Sequence, residues 1–189
     1  MRNRSACIAI AVLLGAGLAA AKATFTPLSG TAQMVAPPQG GKVNCFKGTA
    51  TGNWPPCSPG SSVEIRGLNL TYRQEFRKAN GDIDPLHTGF RTVVFNTRLD
   101  ENGRGHSWGT WRVVLDNGLG EWEGVFTGSG DGWFSASDGQ VTGHGTEGEV
   151  EGMQLRLFLS YETFPFDPVT GLPSVETIVG YRIDPKGGK

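Results

Sequence analysis

The chain has 189 residues, 17 Lys and Arg against 18 Asp and Glu, and a formal net charge of −1 at pH 7. The basic residues are scattered rather than clustered, which argues against nucleic acid and other polyanionic partners. The length suits one domain with a sizeable core.

Residues 1–23 predict a secretory signal peptide. Arg2 and Arg4 supply the positive start, residues 6–18 supply a short apolar core, and Ala-Lys-Ala at residues 21–23 fits the small-x-small cleavage pattern. A comfortable membrane span takes about 20 apolar residues, and neither this run nor a later one reaches that length. We therefore expect a secreted or periplasmic protein with no transmembrane segment after removal of the leader.

Residues 24–62 are rich in proline, glycine and small polar residues. Proline pairs at residues 37–38 and 55–56 oppose regular structure, because proline lacks the backbone N–H that a sheet needs. The composition predicts an irregular N-terminal arm.

Cys45 and Cys57 are the two cysteines that remain after the leader. In an exported chain an isolated pair favours a disulfide. A zinc site would need two more ligands, and no histidine lies near either cysteine in sequence. We predict a Cys45–Cys57 disulfide, worth about 3 kcal/mol for a short loop, and no metal site.

Residues 63–184 carry the pattern of short strands broken by turns. The apolar alternation changes phase at Gly67, which predicts a β-bulge or a strand break. Residues 72–79 could form one or two helical turns. A strand is predicted over residues 89–99, and Asp-Asn-Gly at residues 116–118 is a strong hairpin signal.

Residues 141–161 form the longest strand-like run. Its apolar residues from Met153 onward alternate with polar ones, but Glu147, Glu149 and Glu151 have the same parity and would face the core. A bulge near residues 148–152, or two separate strands, would remove this conflict.

About seven or eight strands with short connections, and no good crossover helix, predict an all-β fold. Because closure removes exposed sheet edges, a single antiparallel closed barrel over residues 63–184 is favoured, with a β-sandwich as the alternative. Residues 185–189 are expected to be a frayed tail.

Four motifs resemble a known group of proteins. They are DPLHTG at residues 84–89, GHSWGTW at 105–111, GEWEGVFTG at 120–128 and GHGTEGEVEGMQL at 143–155. Their order resembles secreted bacterial β-barrel proteins of uncharacterised function, distantly similar to the calycin-like barrels of the allene oxide cyclase and dirigent group. The resemblance implies a calycin-like barrel. The plant members guide cyclisation or coupling of reactive small molecules in an apolar cavity, but these motifs carry over no catalytic residue.

The first candidate ligand-binding residues come from the predicted hairpin. Glu121 and Glu123 flank Trp122, and Arg112 lies on the preceding strand. Inside a barrel, Arg112 and Glu123 would form a strong polar anchor for a ligand. Since Arg112 lies between the apolar residues Trp111 and Val113, its side chain is expected on the opposite, outward face of the strand. An exposed ion pair is therefore the favoured alternative.

Three further candidates are His144, Trp108 and Trp133. His144 lies between two glycines, which would let a ligand approach, and it could exchange a proton near neutral pH. A polar turn residue is the simpler interpretation. Trp108 and Trp133 are the aromatic candidates, whereas Trp111 and Trp122 are expected in the core.

These features favour an exported barrel without cofactor that binds a small apolar or amphipathic molecule, or that has an envelope or interaction role. A cyclase- or isomerase-like enzyme that works by positioning its substrate is the second hypothesis. A carbohydrate-binding module is the third. Whether the protein is an enzyme stays open, with the sequence leaning against it.

Overall fold

The computed structural model describes residues 22–50, 57–131, 137–161 and 175–186. Eight β-strands account for most of them. The strands are β1 Thr24–Phe46, β2 Ser62–Arg77, β3 Gly89–Leu99, β4 Arg104–Leu115, β5 Gly120–Asp131, β6 Ser137–Gly148, β7 Gln154–Tyr161 and β8 Val175–Asp184.

The eight strands form one closed antiparallel barrel. Each strand pairs with the next, and β1 pairs with β8 to complete the ring. The predicted all-β fold is confirmed. A row of directly paired residues that starts at Gly89 passes through all eight strands and returns to β3 at Leu99, ten residues further along. This stagger tilts the strands and leaves an interior just wide enough for side chains or one small ligand.

The predicted irregular arm over residues 24–62 is wrong for its first half. Residues 24–46 are β1, the longest strand, so the barrel begins at Thr24 and not at residue 63. The proline pair at residues 37–38 falls at a register shift between Ala36 and Gln39. It also lies beyond Gln33, where the pairing with β8 ends. Proline is tolerated there because this part of β1 is irregularly paired with β2 and has no pairing with β8 beyond Gln33, so fewer backbone N–H groups are needed as donors.

The predicted disulfide is confirmed. The Sγ atoms of Cys45 and Cys57 lie 1.99 Å apart and join the end of β1 to the loop before β2. Cys57 is fully buried and packs in a small apolar cluster with Val63, Ile65 and Leu99.

The core fills the barrel interior. Trp111 and Trp122 are both buried there, as predicted. Glycines on nearby strands make room for the large aromatic rings. A Cβ atom on Gly143 would overlap Cζ2 of Trp111, and one on Gly109 would lie 2.6 Å from Cε1 of Phe126. Aromatic size and glycine placement are therefore matched across the barrel.

One end of the barrel is covered by residues 78–88, the segment between β2 and β3, here called the strap. The expected helical turns at residues 72–79 are wrong, because β2 continues to Arg77. The backbone carbonyl of Leu86 accepts a hydrogen bond from Trp122 Nε1 at 2.8 Å, and Thr88 Oγ1 accepts one from the Phe76 N–H at 3.0 Å. His87 is buried and stacks on Trp122.

Candidate ligand site in the barrel interior

The barrel encloses a narrow, mainly apolar cavity of about 30 Å³. This is room for about two water molecules, far below the volume of a drug-sized site. Eight apolar or aromatic side chains and four polar ones line it: Leu70, Tyr72, Gln74, Arg91, Val93, Phe95, Trp111, Phe126, Val141, Leu157, Leu159 and Glu176.

Strand pairing brings the four polar side chains together. Tyr72 of β2 pairs directly with Arg91 of β3. On the other side, Ala32 of β1 pairs with both Gln74 of β2 and Glu176 of β8. Because Ala32 presents only a methyl group to the interior, it leaves space for Glu176 to reach Arg91.

The centre of the polar cluster is a buried ion pair. Arg91 Nη2 donates to Glu176 Oε2, and their side chains are 5% and 1% exposed. The Arg91 guanidinium lies over the ring of Tyr72, with Cζ 4.3 Å from the ring centroid. Burial, followed by the negative charge of Glu176, raises the pKa of Tyr72. The tyrosine hydroxyl therefore keeps its proton at neutral pH.

This buried pair is poorly explained by stability alone. Removing two charges from water is expensive, and apolar residues of similar volume are often as stabilising as a buried ion pair. Removing one partner, by contrast, leaves an uncompensated charge in the core. The pair is better explained by a requirement for polar groups inside an apolar cavity.

The cavity wall also contains a polar group without a partner, the indole N–H of Trp111. Trp111 is 5% exposed, and its Nε1 is buried without a hydrogen-bond acceptor among the described residues. The other buried indole, Trp122, donates to the Leu86 carbonyl instead. A buried donor without an acceptor is costly, so this N–H is available to water or to a ligand oxygen.

The strap connects to the cavity through Gln74. Its Nε2 donates to the His87 carbonyl at 2.7 Å, and Asp84 Oδ2 lies 2.8 Å from His87 Nδ1. Burial lowers the pKa of His87, against the opposing effect of Asp84. Burial alone would raise the pKa of Asp84, but the hydrogen bonds from His87 and from the Leu86 N–H stabilise the carboxylate, and the pKa is lowered. His87 is therefore neutral at neutral pH.

Three of the sequence-predicted site residues lie together on the outer face, not in the cavity. Arg112, Glu123 and His144 form one row across β4, β5 and β6. Arg112 Nε donates to Glu121 Oε2 at 2.6 Å, while His144 Nε2 lies 3.4 Å from Glu123 Oε1. These side chains border a shallow groove. The structure thus has the exposed ion pair that the sequence favoured, although its carboxylate is Glu121.

Of the two candidate tryptophans, Trp108 lies within the described residues. The Trp108 ring is stacked against His106, with centroids 5.7 Å apart, and Arg66 Cζ lies 4.5 Å from its centroid. The Trp108 ring is thus in contact with two neighbouring side chains. Trp133 falls within residues 132–136, which lie outside the described part of the chain, as does most of the predicted signal peptide.

Sequence reasoning missed Tyr72, Gln74, Arg91 and Glu176 as site residues. A signal was present in two strands. Arg91 has the parity of the apolar residues Val93 and Phe95, and Glu176 has the parity of Ile178. A positive side chain on the inward face of one strand and a negative one on the inward face of another form the pattern of a buried ion pair.

The described residues contain no group of three or more metal-binding side chains. Likewise, no helix within them is long and apolar enough to cross a membrane. Comparison with known proteins gives no match: no family model matches the chain, and neither a curated protein nor a solved structure is significantly similar to it. The resemblance to the allene oxide cyclase and dirigent barrels therefore stays a prediction.

Proposed function

We propose that this protein is an exported, non-catalytic barrel that binds a small, mainly apolar molecule through a polar group held in its interior. The observation that carries the proposal is the Arg91–Glu176 ion pair, buried with Tyr72 and Gln74 in a cavity whose other walls are apolar. Such sites combine apolar contact with a few polar groups that orient the ligand. The disulfide and the leader-like N-terminus support export.

The cavity chemistry favours binding over catalysis. Its ionisable side chains among the described residues are Tyr72, Arg91 and Glu176. The two charges neutralise each other, and the raised pKa of Tyr72 keeps its proton in place. Tyr72 is therefore not suited to the proton exchange near neutral pH that general acid–base catalysis requires, and Arg91 and Glu176 are held by each other.

A carbohydrate-binding role gains less support. Sugar stacking needs an aromatic ring with a free face on the outer surface. Of the two tryptophans that the sequence suggests for this role, Trp108 is the one within the described residues, and Arg66 and His106 already lie against its ring.

Native mass spectrometry of protein purified gently from its own host tests the proposal. We expect a folded protein that carries a retained small molecule. The control is the triple variant Tyr72→Phe, Arg91→Met and Glu176→Leu, which removes three of the four polar side chains, both charges among them, and keeps the volume nearly constant. It should stay folded, since no buried charge is left unpaired, and should carry no retained molecule. No adduct on the wild type, or an equal adduct on both proteins, would contradict the proposal.

A further inference from the structure

We infer that the ligand is uncharged and presents a hydrogen-bond acceptor oxygen, as in a ketone, ester or ether, to the indole N–H of Trp111. This inference rests on the proposed function and specifies its ligand class. It uses two independent features of the cavity, the unpartnered Trp111 donor and the internal neutralisation of the Arg91 and Glu176 charges.

The first feature defines the complementary atom. An indole nitrogen only donates, so its partner must be an acceptor. Trp111 lines the cavity, and its Nε1 is buried with no acceptor in the described part of the chain. Gly143 fixes the indole position, because the ring packs where a Cβ atom of that residue would lie. A ligand oxygen beside this N–H removes the penalty of a buried donor, whereas an apolar ligand leaves the penalty in place.

The second feature sets the ligand charge. The positive and negative groups of the cavity already form a pair with each other, so a carboxylate ligand would add an uncompensated negative charge beside Glu176. An ammonium ligand would likewise add an uncompensated positive charge beside Arg91. Burying an unpaired charge costs far more than burying a hydrogen-bonded carbonyl. The cavity therefore discriminates against fatty-acid-like anions and against amines.

The cavity size limits the part of the ligand that enters. About 30 Å³ of space admits a group of a few non-hydrogen atoms without rearrangement of the walls. A small ketone carries such a group at its carbonyl end, and a five-membered ring limits the side-chain movement that is needed to admit the rest of the probe. Cyclopentanone carries the acceptor oxygen, methylenecyclopentane has the same shape without it, and isobutyrate has a similar size with a negative charge.

The test is a titration of the ¹⁵N-labelled protein with these three probes, followed through the indole N–H resonances in NMR spectra. We expect cyclopentanone to move the Trp111 resonance downfield and methylenecyclopentane to bind without that shift. Isobutyrate should bind at least about tenfold more weakly than cyclopentanone. The Trp122 resonance is the internal control, because its N–H already donates to Leu86.

The variant Trp111→Phe keeps an aromatic ring and removes the donor. It should weaken cyclopentanone binding about three- to tenfold, the effect of one hydrogen bond, while binding of methylenecyclopentane is retained. Retained binding of the apolar probe also shows that the variant is folded.

The possible outcomes separate this inference from the proposed function. If the neutral probes bind but the Trp111 resonance does not respond, or if Trp111→Phe binds the ketone as well as the wild type does, an internal water explains the orphan donor and the inference is wrong. Equal binding of isobutyrate would also overturn it, while leaving interior binding intact. If no probe binds, the inference fails, and failure of the mass-spectrometry test as well would remove the proposed function.

Discussion

Two arginine–glutamate pairs in this barrel differ chiefly in their access to water. The Arg112–Glu121 pair lies on the outer face of β4 and β5, where the arginine side chain is 56% exposed. The Arg91–Glu176 pair lies inside, with side chains 5% and 1% exposed. Water and salt screen the outer pair, whereas each inner charge depends on its partner. The same side-chain chemistry therefore marks a solvated surface in one place and a candidate binding site in the other.

The largest expected effect comes from breaking the inner pair. Arg91→Met leaves Glu176 as an unpaired charge in the core and should lower the free energy of unfolding by about 3–5 kcal/mol. Urea denaturation measures this change. In the triple variant with Tyr72→Phe and Glu176→Leu, most of the loss should be recovered. An Arg91→Met protein as stable as the wild type would show that the inner pair is hydrated after all.

The next effect tests the packing on the inner face. Gly143→Ala places a methyl group against the Trp111 ring and 2.8 Å from the Glu123 carbonyl oxygen. Overpacking of this kind should lower the free energy of unfolding by about 1–3 kcal/mol. Thr142→Val, on the exposed face of the same strand, should change it by less than about 0.5 kcal/mol. Equal effects of the two substitutions would contradict the assigned inner and outer faces.

A third experiment compares a buried histidine with an exposed one. The folded-state pKa of His87 lies below the ordinary value of 6.5, mainly through burial. As the pH falls below about 6.5, the unfolded chain takes up a proton that the folded chain does not, so stability decreases by at most about 1.4 kcal/mol per pH unit. Asp84, Arg182, Phe76 and Trp122 surround the ring or act on its charge.

Urea denaturation at about pH 7 and pH 5.5 measures this slope. His87→Asn, which retains a donor near the Nδ1 position, should flatten it. His144→Gln, on the exposed face, should leave it unchanged. If His87→Asn retained the wild-type slope, another group would have to be responsible for it.

The smallest effect is expected on the outer face. Arg112→Met removes the partner of Glu121, whose carboxylate lies on the outer face and keeps 16% of its side chain exposed to water. The urea midpoint should stay within experimental error of the wild type, at low salt and in about 0.5 M NaCl. A loss of stability comparable with that of Arg91→Met would erase the contrast between the two pairs.

Local chemistry made several strand boundaries predictable. The phase change at Gly67 is a real register shift, with Gly67 at φ +67° in the left-handed region. The Asp-Asn-Gly turn at residues 116–118 separates β4 from β5. The run over residues 141–161 is two strands, and Gly148 and Gly152 adopt positive φ in the turn between them. In each case the signal is a glycine or a turn residue whose backbone preference acts locally.

The first strand and the interior site could not be predicted in the same way. β1 is held by pairs with β2 and β8, and its partners on β8 lie about 150 residues away in sequence. Arg91 and Glu176 are likewise 85 residues apart. Parity indicates that each of these charges faces inward, but only barrel closure and its stagger bring them into contact. By contrast, Arg112 and Glu123 lie on consecutive strands joined by one turn, so the sequence alone could predict that they face each other.

Closure through β1 and β8 has a consequence for how the chain can be rearranged. Thr24 pairs directly with Asp184, so the beginning and the end of the barrel are neighbours in one ladder. A short peptide link between these positions would span only the gap between adjacent strands. New termini could then be opened at the exposed turn after β4, and the circularly permuted polypeptide should rebuild the same ring from a different starting strand.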